Sequence, residues 1–158
     1  ILDGELFVTP APAPQHQMIL ANLVSVLSDY VRQRGLGRVL FAPLDVIFAD
    51  SSIAQPDAIY LDNTRMSLIS RRGIEGGPNL LVEVLSPSTA RTDRSVKFAL
   101  YARYDVDFYW IVDSEARVLE AYRQEGRGYV LAMRAAGPEP CGPPPFEDLG
   151  LVVETLWR

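Results

Sequence analysis

Lys97 is the only lysine among the 15 Lys and Arg residues of this chain. An ammonium is a compact point charge whose pKa responds to burial, whereas guanidinium is a planar fork that stays charged. A pocket needing one cation directed at a phosphate or a water could require Lys and reject Arg. Glu83 precedes it, inside the run Asn79–Leu85 (NLLVEVL). After its first residue that run is apolar on both faces except at Glu83, as in a central strand covered on both sides. An ionised carboxylate there is costly unless it is paired or bound to a metal. The competing reading is a buried ion pair with an arginine, or a strand end that reaches water. Asp57 follows Pro56 at the start of another strand pattern. With Glu83 on a neighbouring strand it makes a two-carboxylate site. Such oxygen ligands suit Mg²⁺ or Mn²⁺, which keep waters and take up substrate phosphate oxygens. A helix packed on the Glu83 strand could return the Lys97 ammonium to that strand's end.

Other residues have plainer readings. Asp93 and Lys97 are four apart and could form an exposed helical ion pair worth ~0.3–0.5 kcal/mol. His16, the only histidine, reads as an exposed polar residue near a helix start, with an accessory site role as the alternative. Glu5 reads as solvated charge, with an approach to the metal as the alternative. Tyr101 and Tyr104 read as core.

Pro56-Asp57, Val82-Glu83-Val84-Leu85, Ser86-Pro87-Ser88-Thr89, Asp93, Lys97 and Tyr109-Trp110-Ile111-Val112-Asp113 together resemble one bacterial family. It is the restriction-endonuclease-like family of uncharacterised proteins within the PD-(D/E)XK nuclease superfamily. The resemblance runs from Asp3-Gly4-Glu5-Leu6 to Trp157. It implies a restriction-endonuclease-like core and metal-dependent hydrolysis of DNA phosphodiester bonds. It also implies that Asp57, Glu83 and the Val84 carbonyl bind the metal, with Lys97 orienting water and stabilising phosphate charge. Leu85 occupies the superfamily's usual lysine position, so the lysine would have moved to the following helix.

The physical logic of such a site is independent of the resemblance. Phosphodiester hydrolysis needs a nucleophile near neutral pH and relief of phosphate charge, and a divalent cation supplies both. Two other readings stay open. One is an inactive nuclease-fold module that binds nucleic acid or protein, which the acidic pI and Leu85 support. The other is a small-molecule metallohydrolase, which the lack of a basic groove would favour. Convergence of Asp57, Glu83 and Lys97 on one pocket with a basic rim would discriminate among them.

The elements that must position these residues follow from periodicity. Gly4–Thr9 alternates and reads as a strand, and Pro10–Pro14 as a stiff connector. His16–Arg34 reads as a long helix through Leu20, Leu23, Val24, Leu27 and Val31, stopped by Gly35. Arg38–Ala49 contains two β-rich pieces around Pro43, and Gln55–Leu61 a further strand. Asn63–Gly77 reads as a loop with a short helical turn. Thr92 reads as the N-cap of a helix through Tyr104. Phe108–Val112 reads as a buried strand, and Val118–Arg123 with Tyr129–Arg134 as a hairpin. Leu149–Trp157 returns as a strand or short helix. The class is mixed α/β, with one sheet covered by helices.

The length of 158 residues predicts one domain, residues 1–158. With 48% hydrophobic and 22% charged residues, the composition is that of a globular protein. No apolar run reaches the roughly 18–20 residues of a membrane span. No secretory signal opens the chain, and its first residue is Ile, so N-terminal residues are expected to precede it. Cys141 is the only cysteine. That excludes an internal disulfide and four-ligand Cys/His zinc, and fits a reducing cytoplasm. One histidine disfavours a Ser-His-Asp hydrolase. Net charge of −5 argues mildly against a dedicated nucleic-acid binder. Arg32/Arg34/Arg38, Arg71/Arg72 and Arg91/Arg94 could still supply local basic patches for DNA. Cleavage of both strands would call for a homodimer.

Overall fold

One mixed sheet divides the core in two, and the period-two alternation of its strands decides which residues meet which side. In the computed structural model, which describes residues 1–158, the helix α1 (Pro14–Arg34) comes first. It is followed by β1 (Gly37–Phe41), β2 (Val46–Ala49), β3 (Ser52–Ala54), β4 (Ala58–Asp62) and β5 (Ile74–Glu75). Then come β6 (Leu80–Val84), α2 (Ala90–Arg94), α3 (Val96–Arg103), β7 (Phe108–Asp113), β8 (Val118–Glu125) and β9 (Gly128–Ala136). β10 (Pro140–Cys141) and β11 (Leu151–Val152) precede a short 3-10 helix, Val153–Trp157. The main sheet has the order β1-β4-β6-β7-β8-β9. Within it only β6 and β7 are parallel, joined by the α2–α3 crossover. A small sheet, β3-β2-β5, and the β10–β11 ladder complete the fold.

Even-numbered residues of β4, β6 and β7 face one core. Ala58, Tyr60, Leu80, Val82, Val84, Trp110 and Val112 pack there against Ile19, Leu20, Leu23, Leu27 and Val31 of α1. Odd-numbered residues face the other core, where Ile59, Leu61, Leu81, Tyr109 and Ile111 meet Leu100 and Tyr101 of α3. β6 is buried along its whole length, as its unbroken apolar run predicts. α1 ends where expected: Gly35 takes the left-handed conformation and its N–H caps Arg32 and Val31 carbonyls.

Several elements differ from expectation. Gly4–Thr9 forms no strand; an isolated Leu2–Glu5 bridge is its only pairing. Leu6 and Val8 are exposed and no neighbouring strand lies beside them, so alternation alone does not make a sheet. The strand expected over Gln55–Leu61 starts only at Ala58. The helix expected from a Thr92 cap through Tyr104 is two helices meeting at Ser95, whose hydroxyl donates to the Arg91 carbonyl at 2.6 Å. A serine hydroxyl that bonds back to the preceding turn competes with regular helix and bends it. No helix is long and apolar enough to cross a membrane.

Candidate active site

Asp57 and Glu83 meet because β4 and β6 are antiparallel. The register Ala58↔Val82, extended by one residue, sets Asp57 opposite Glu83. Extended once more, it sets Pro56 opposite Val84. Proline has no N–H to continue the ladder, so the strand pair opens here. The Asp57 carboxylate takes the place of the missing partner: Val84 N–H donates to Asp57 Oδ2 at 2.7 Å. Behind it, Ala42 N–H donates to the Asp57 carbonyl at 3.0 Å and pins the backbone. In an extended strand a residue's N–H and C=O point to the same edge. The Val84 carbonyl therefore faces Asp57 as well, opposite a proline that cannot donate to it.

Glu83 has the parity of Leu81 and lies on the α3 side. Its Oε1 accepts from Lys97 Nζ at 3.0 Å and from the Tyr101 hydroxyl at 2.7 Å. Lys97 is held from its other side by Asp93 Oδ1, 2.8 Å from Nζ. The ammonium is thus held between two acids, Glu83 Oε1 on one side and Asp93 Oδ1 on the other. Asp93 is 1% exposed, so the Asp93–Lys97 pair is buried, not the exposed surface pair that its spacing suggests. The break at Ser95 lies between the two residues. The Tyr109 hydroxyl donates to the Asp93 carbonyl at 2.8 Å and braces this turn from β7.

Asp57, Glu83, Val84 and Lys97 line one pocket of about 540 Å³. Its walls are the Thr9–Ala13 segment, Ala42-Pro43 and the Ser86–Thr89 loop. His16, from the first turn of α1, also lines it, with Nε2 3.2 Å from Asp57 Oδ2. The reading of His16 as an exposed surface residue fails, because its side chain is 12% exposed and in contact with the candidate acid. Glu5 is exposed and lies outside the pocket. No arginine lines it; Lys97 and His16 are its only basic residues, and Gln17, Gln55, Ser86, Ser88 and Thr89 supply neutral polar groups.

The electrostatics follow from burial and excess negative charge. Burial pushes the Glu83 carboxyl up to about 8; Lys97 opposes this, while Asp93 and Asp57 add to it. Burial likewise pushes Asp93 up, against the pull of Lys97. For Lys97, burial alone would lower the pKa, but Glu83 and Asp93 outweigh it and raise it, so the ammonium stays charged. The hydrogen bond to Asp57 raises His16 against its own burial.

Both candidate ligands show the same division of labour. Every hydrogen bond to Asp57 side-chain oxygens falls on Oδ2, and every one to Glu83 on Oε1. Asp57 Oδ1 and Glu83 Oε2 are left over beside one pocket. With Asp93, the site gathers three carboxyl groups around Lys97 and His16, so when the acids are ionised they outnumber the bases, an excess that a bound cation would relieve. No group of three or more His, Cys, Asp or Glu side chains is arranged to hold a metal ion. The donor set is thus two carboxylates and a carbonyl, which fits a hydrated Mg²⁺ or Mn²⁺ better than an all-protein cage.

Comparison with known proteins adds independent findings. The model of the Uma2 family, described as putative restriction endonuclease, matches residues 1–154. No curated protein matches the chain. Among solved structures, the chain is similar to a putative nuclease belonging to DUF820 from Anabaena variabilis ATCC 29413. The TM-score is 0.82 at 20% identity, covering 99% of this chain and 87% of that one. At that identity the likeness establishes the shared fold.

Proposed function

We propose that this chain, which belongs to the Uma2 putative restriction endonuclease family, is a divalent-metal-dependent nuclease that hydrolyses DNA phosphodiester bonds. The observation that carries the reading is the pair of unengaged oxygens, Asp57 Oδ1 and Glu83 Oε2, beside one pocket with the buried Lys97 ammonium. Asp57, Glu83 and the Val84 carbonyl would hold Mg²⁺ or Mn²⁺. When bound, such a cation supplies acidity to water and relieves phosphate charge. Lys97 keeps a fixed positive charge in the pocket, where it stabilises negative charge building on the phosphate oxygens. Asp93 positions the Lys97 ammonium, and Tyr101 holds Glu83 Oε1 so that the carboxylate does not rotate.

The neutral rim favours a second reading in which the substrate is a small phosphodiester. A duplex normally meets a basic surface, and the pocket lining has no arginine. One experiment addresses both. The chain is titrated with Mg²⁺ and Mn²⁺, then incubated with single-stranded DNA, duplex DNA, RNA and bis(p-nitrophenyl) phosphate. Metal-dependent DNA cleavage that Asp57→Ala abolishes supports the nuclease. Turnover of the small ester alone supports the second reading. Failure of both metals to bind would overturn both readings.

A further inference from the structure

Of the two α1 residues that line the pocket, His16 and Gln17, His16 is the one in contact with Asp57. It is delivered by a rigid element, since α1 is anchored by the buried Ile19, Leu20, Leu23 and Leu27. Its Nε2 meets the same Asp57 oxygen that accepts Val84 N–H. Two donors on one carboxylate oxygen fix the rotation of the group about its last bond. One of them is backbone of β6, the other a side chain of a different element. Without His16, a single hydrogen bond would remain, and a carboxylate held by one bond can swing its second oxygen.

We propose that His16 is a positioning residue that, together with Val84 N–H, locks Asp57 Oδ2 and so presents Oδ1 to the divalent cation. This inference rests on the metal-site reading above. The Gln17 side-chain amide lies 3.3 Å from His16 Nδ1. The atom that faces Nδ1 is Gln17 Oε1, which can only accept, so this contact and the one from Nε2 to Asp57 Oδ2 together fix the plane of the ring. Carboxylate ligands of metals are commonly oriented by such outer partners, and losing one weakens metal affinity by roughly 10–100-fold.

The test is Mn²⁺ binding to the intact chain, read from the free-Mn²⁺ EPR signal, with pulsed EPR on the bound ion. His16→Ala should weaken binding roughly 10–100-fold. His16→Gln places an amide N–H near the Nε2 position and should restore affinity to within about threefold of wild type. Should His16→Ala melt before titration, His16→Phe keeps a ring in place and removes the donor. Pulsed EPR of the wild type should show no imidazole nitrogen coupling. Unchanged affinity in the Ala or Phe variant overturns the proposal, as does a Gln variant as weak as Ala with the fold retained. Imidazole coupling would make His16 a direct ligand and overturn it too. No Mn²⁺ binding by the wild type overturns the parent reading with it, whereas wild-type binding with an indifferent His16 overturns only this one.

Discussion

Asp62 and Glu83 stand on neighbouring strands at opposite ends of the sheet, and their surroundings treat them in opposite ways. Asp62 Oδ1 accepts from Thr64 N, Thr64 Oγ1 and Arg65 N, and its Oδ2 from Asn79 Nδ2. Asn79 also reaches Asp107, which Arg65 pairs at 2.8 Å. Burial pushes Asp62 up, but these hydrogen bonds outweigh it and the carboxyl lies below its usual range. Glu83, with half its oxygens unengaged and two more carboxyl groups nearby, is pushed up to about 8. The first end is a closed network in which donors satisfy the acid, which caps the 3-10 turn Asn63–Leu68 that follows β4. The second keeps acceptors in reserve, and holding them there works against the stability of the fold. A site of that kind persists where something else uses it.

The largest effects expected from this contrast are on chemistry. Glu83→Gln should abolish Mg²⁺ and Mn²⁺ binding and reduce cleavage by at least about 10²–10³-fold, with melting temperature unchanged or raised. Asp62→Asn should leave metal affinity untouched. Isothermal calorimetry with a parallel melt separates the two. If Glu83→Gln binds metal normally and melts early, the two ends are alike and Glu83 is a structural ion-pair member.

Lys97→Arg sharpens the same contrast within the pocket. It keeps the charge but replaces a point by a planar fork between Glu83 and Asp93. Cleavage should fall by about 10²-fold while metal affinity stays near wild type. Wild-type rates from Lys97→Arg would falsify a strict need for the amine.

Residues differ in how much of this was legible beforehand. α1, β6 and β7 could be read from periodicity, because each buries an apolar face that the sequence displays. Glu83 and Lys97 stood out because each is a lone exception in its context. Their meeting needed only a helix that packs back on the strand before it. His16 gave no such signal: its contact with Asp57 spans 41 residues and depends on where α1 crosses the end of the sheet. Asp93 reads as a surface residue in the sequence and lies buried in the structure for a local reason. A continuous helix would make it one half of a surface pair, whereas the break at Ser95 leaves both it and Lys97 turned inward. The Gly4–Thr9 alternation misled because a strand needs a partner edge, and the open edge of β1 stays unpaired with it.

At the structural end, Asp62→Ala removes the acceptor for two backbone N–H groups and frees the Asn79 amide. Loss of such a cap costs about 0.5–2 kcal/mol. For a chain of this size that is roughly 2–4 °C of melting temperature per kcal/mol. Metal affinity should not move. A change in metal affinity would mean that the two ends communicate along β4 and β6.

The smallest effect is the most direct reading of the contrast, because the two acids should tilt stability in opposite directions with pH. Asp62 has a lowered folded pKa, so its contribution is present above its unfolded value of 3.8 and is lost as pH falls through the folded one. Glu83 has a raised folded pKa, so its contribution is present below its unfolded value of 4.5 and is lost as pH rises towards about 8. The windows barely overlap, and between pH 5 and 8 Glu83 acts without Asp62. One proton sets a ceiling of about 1.4 kcal/mol per pH unit. Sharing of charge with Asp93 and Lys97 keeps the slope below that, on the order of 1–2 °C per pH unit. His16, also raised, slopes the same way, so the comparison must be made against Glu83→Gln with His16 intact. Lys97 is raised from 10.5 and contributes nothing variable in this window. In chelator, the wild type should therefore lose melting temperature from pH 5 to 8 faster than Glu83→Gln. Saturating Mn²⁺, which favours the ionised carboxylate, should remove the difference by lifting the wild type at the alkaline end. Parallel melting curves for wild type and Glu83→Gln in chelator would mean that Glu83 is as well satisfied as Asp62, and the distinction between the two ends would lose its physical basis.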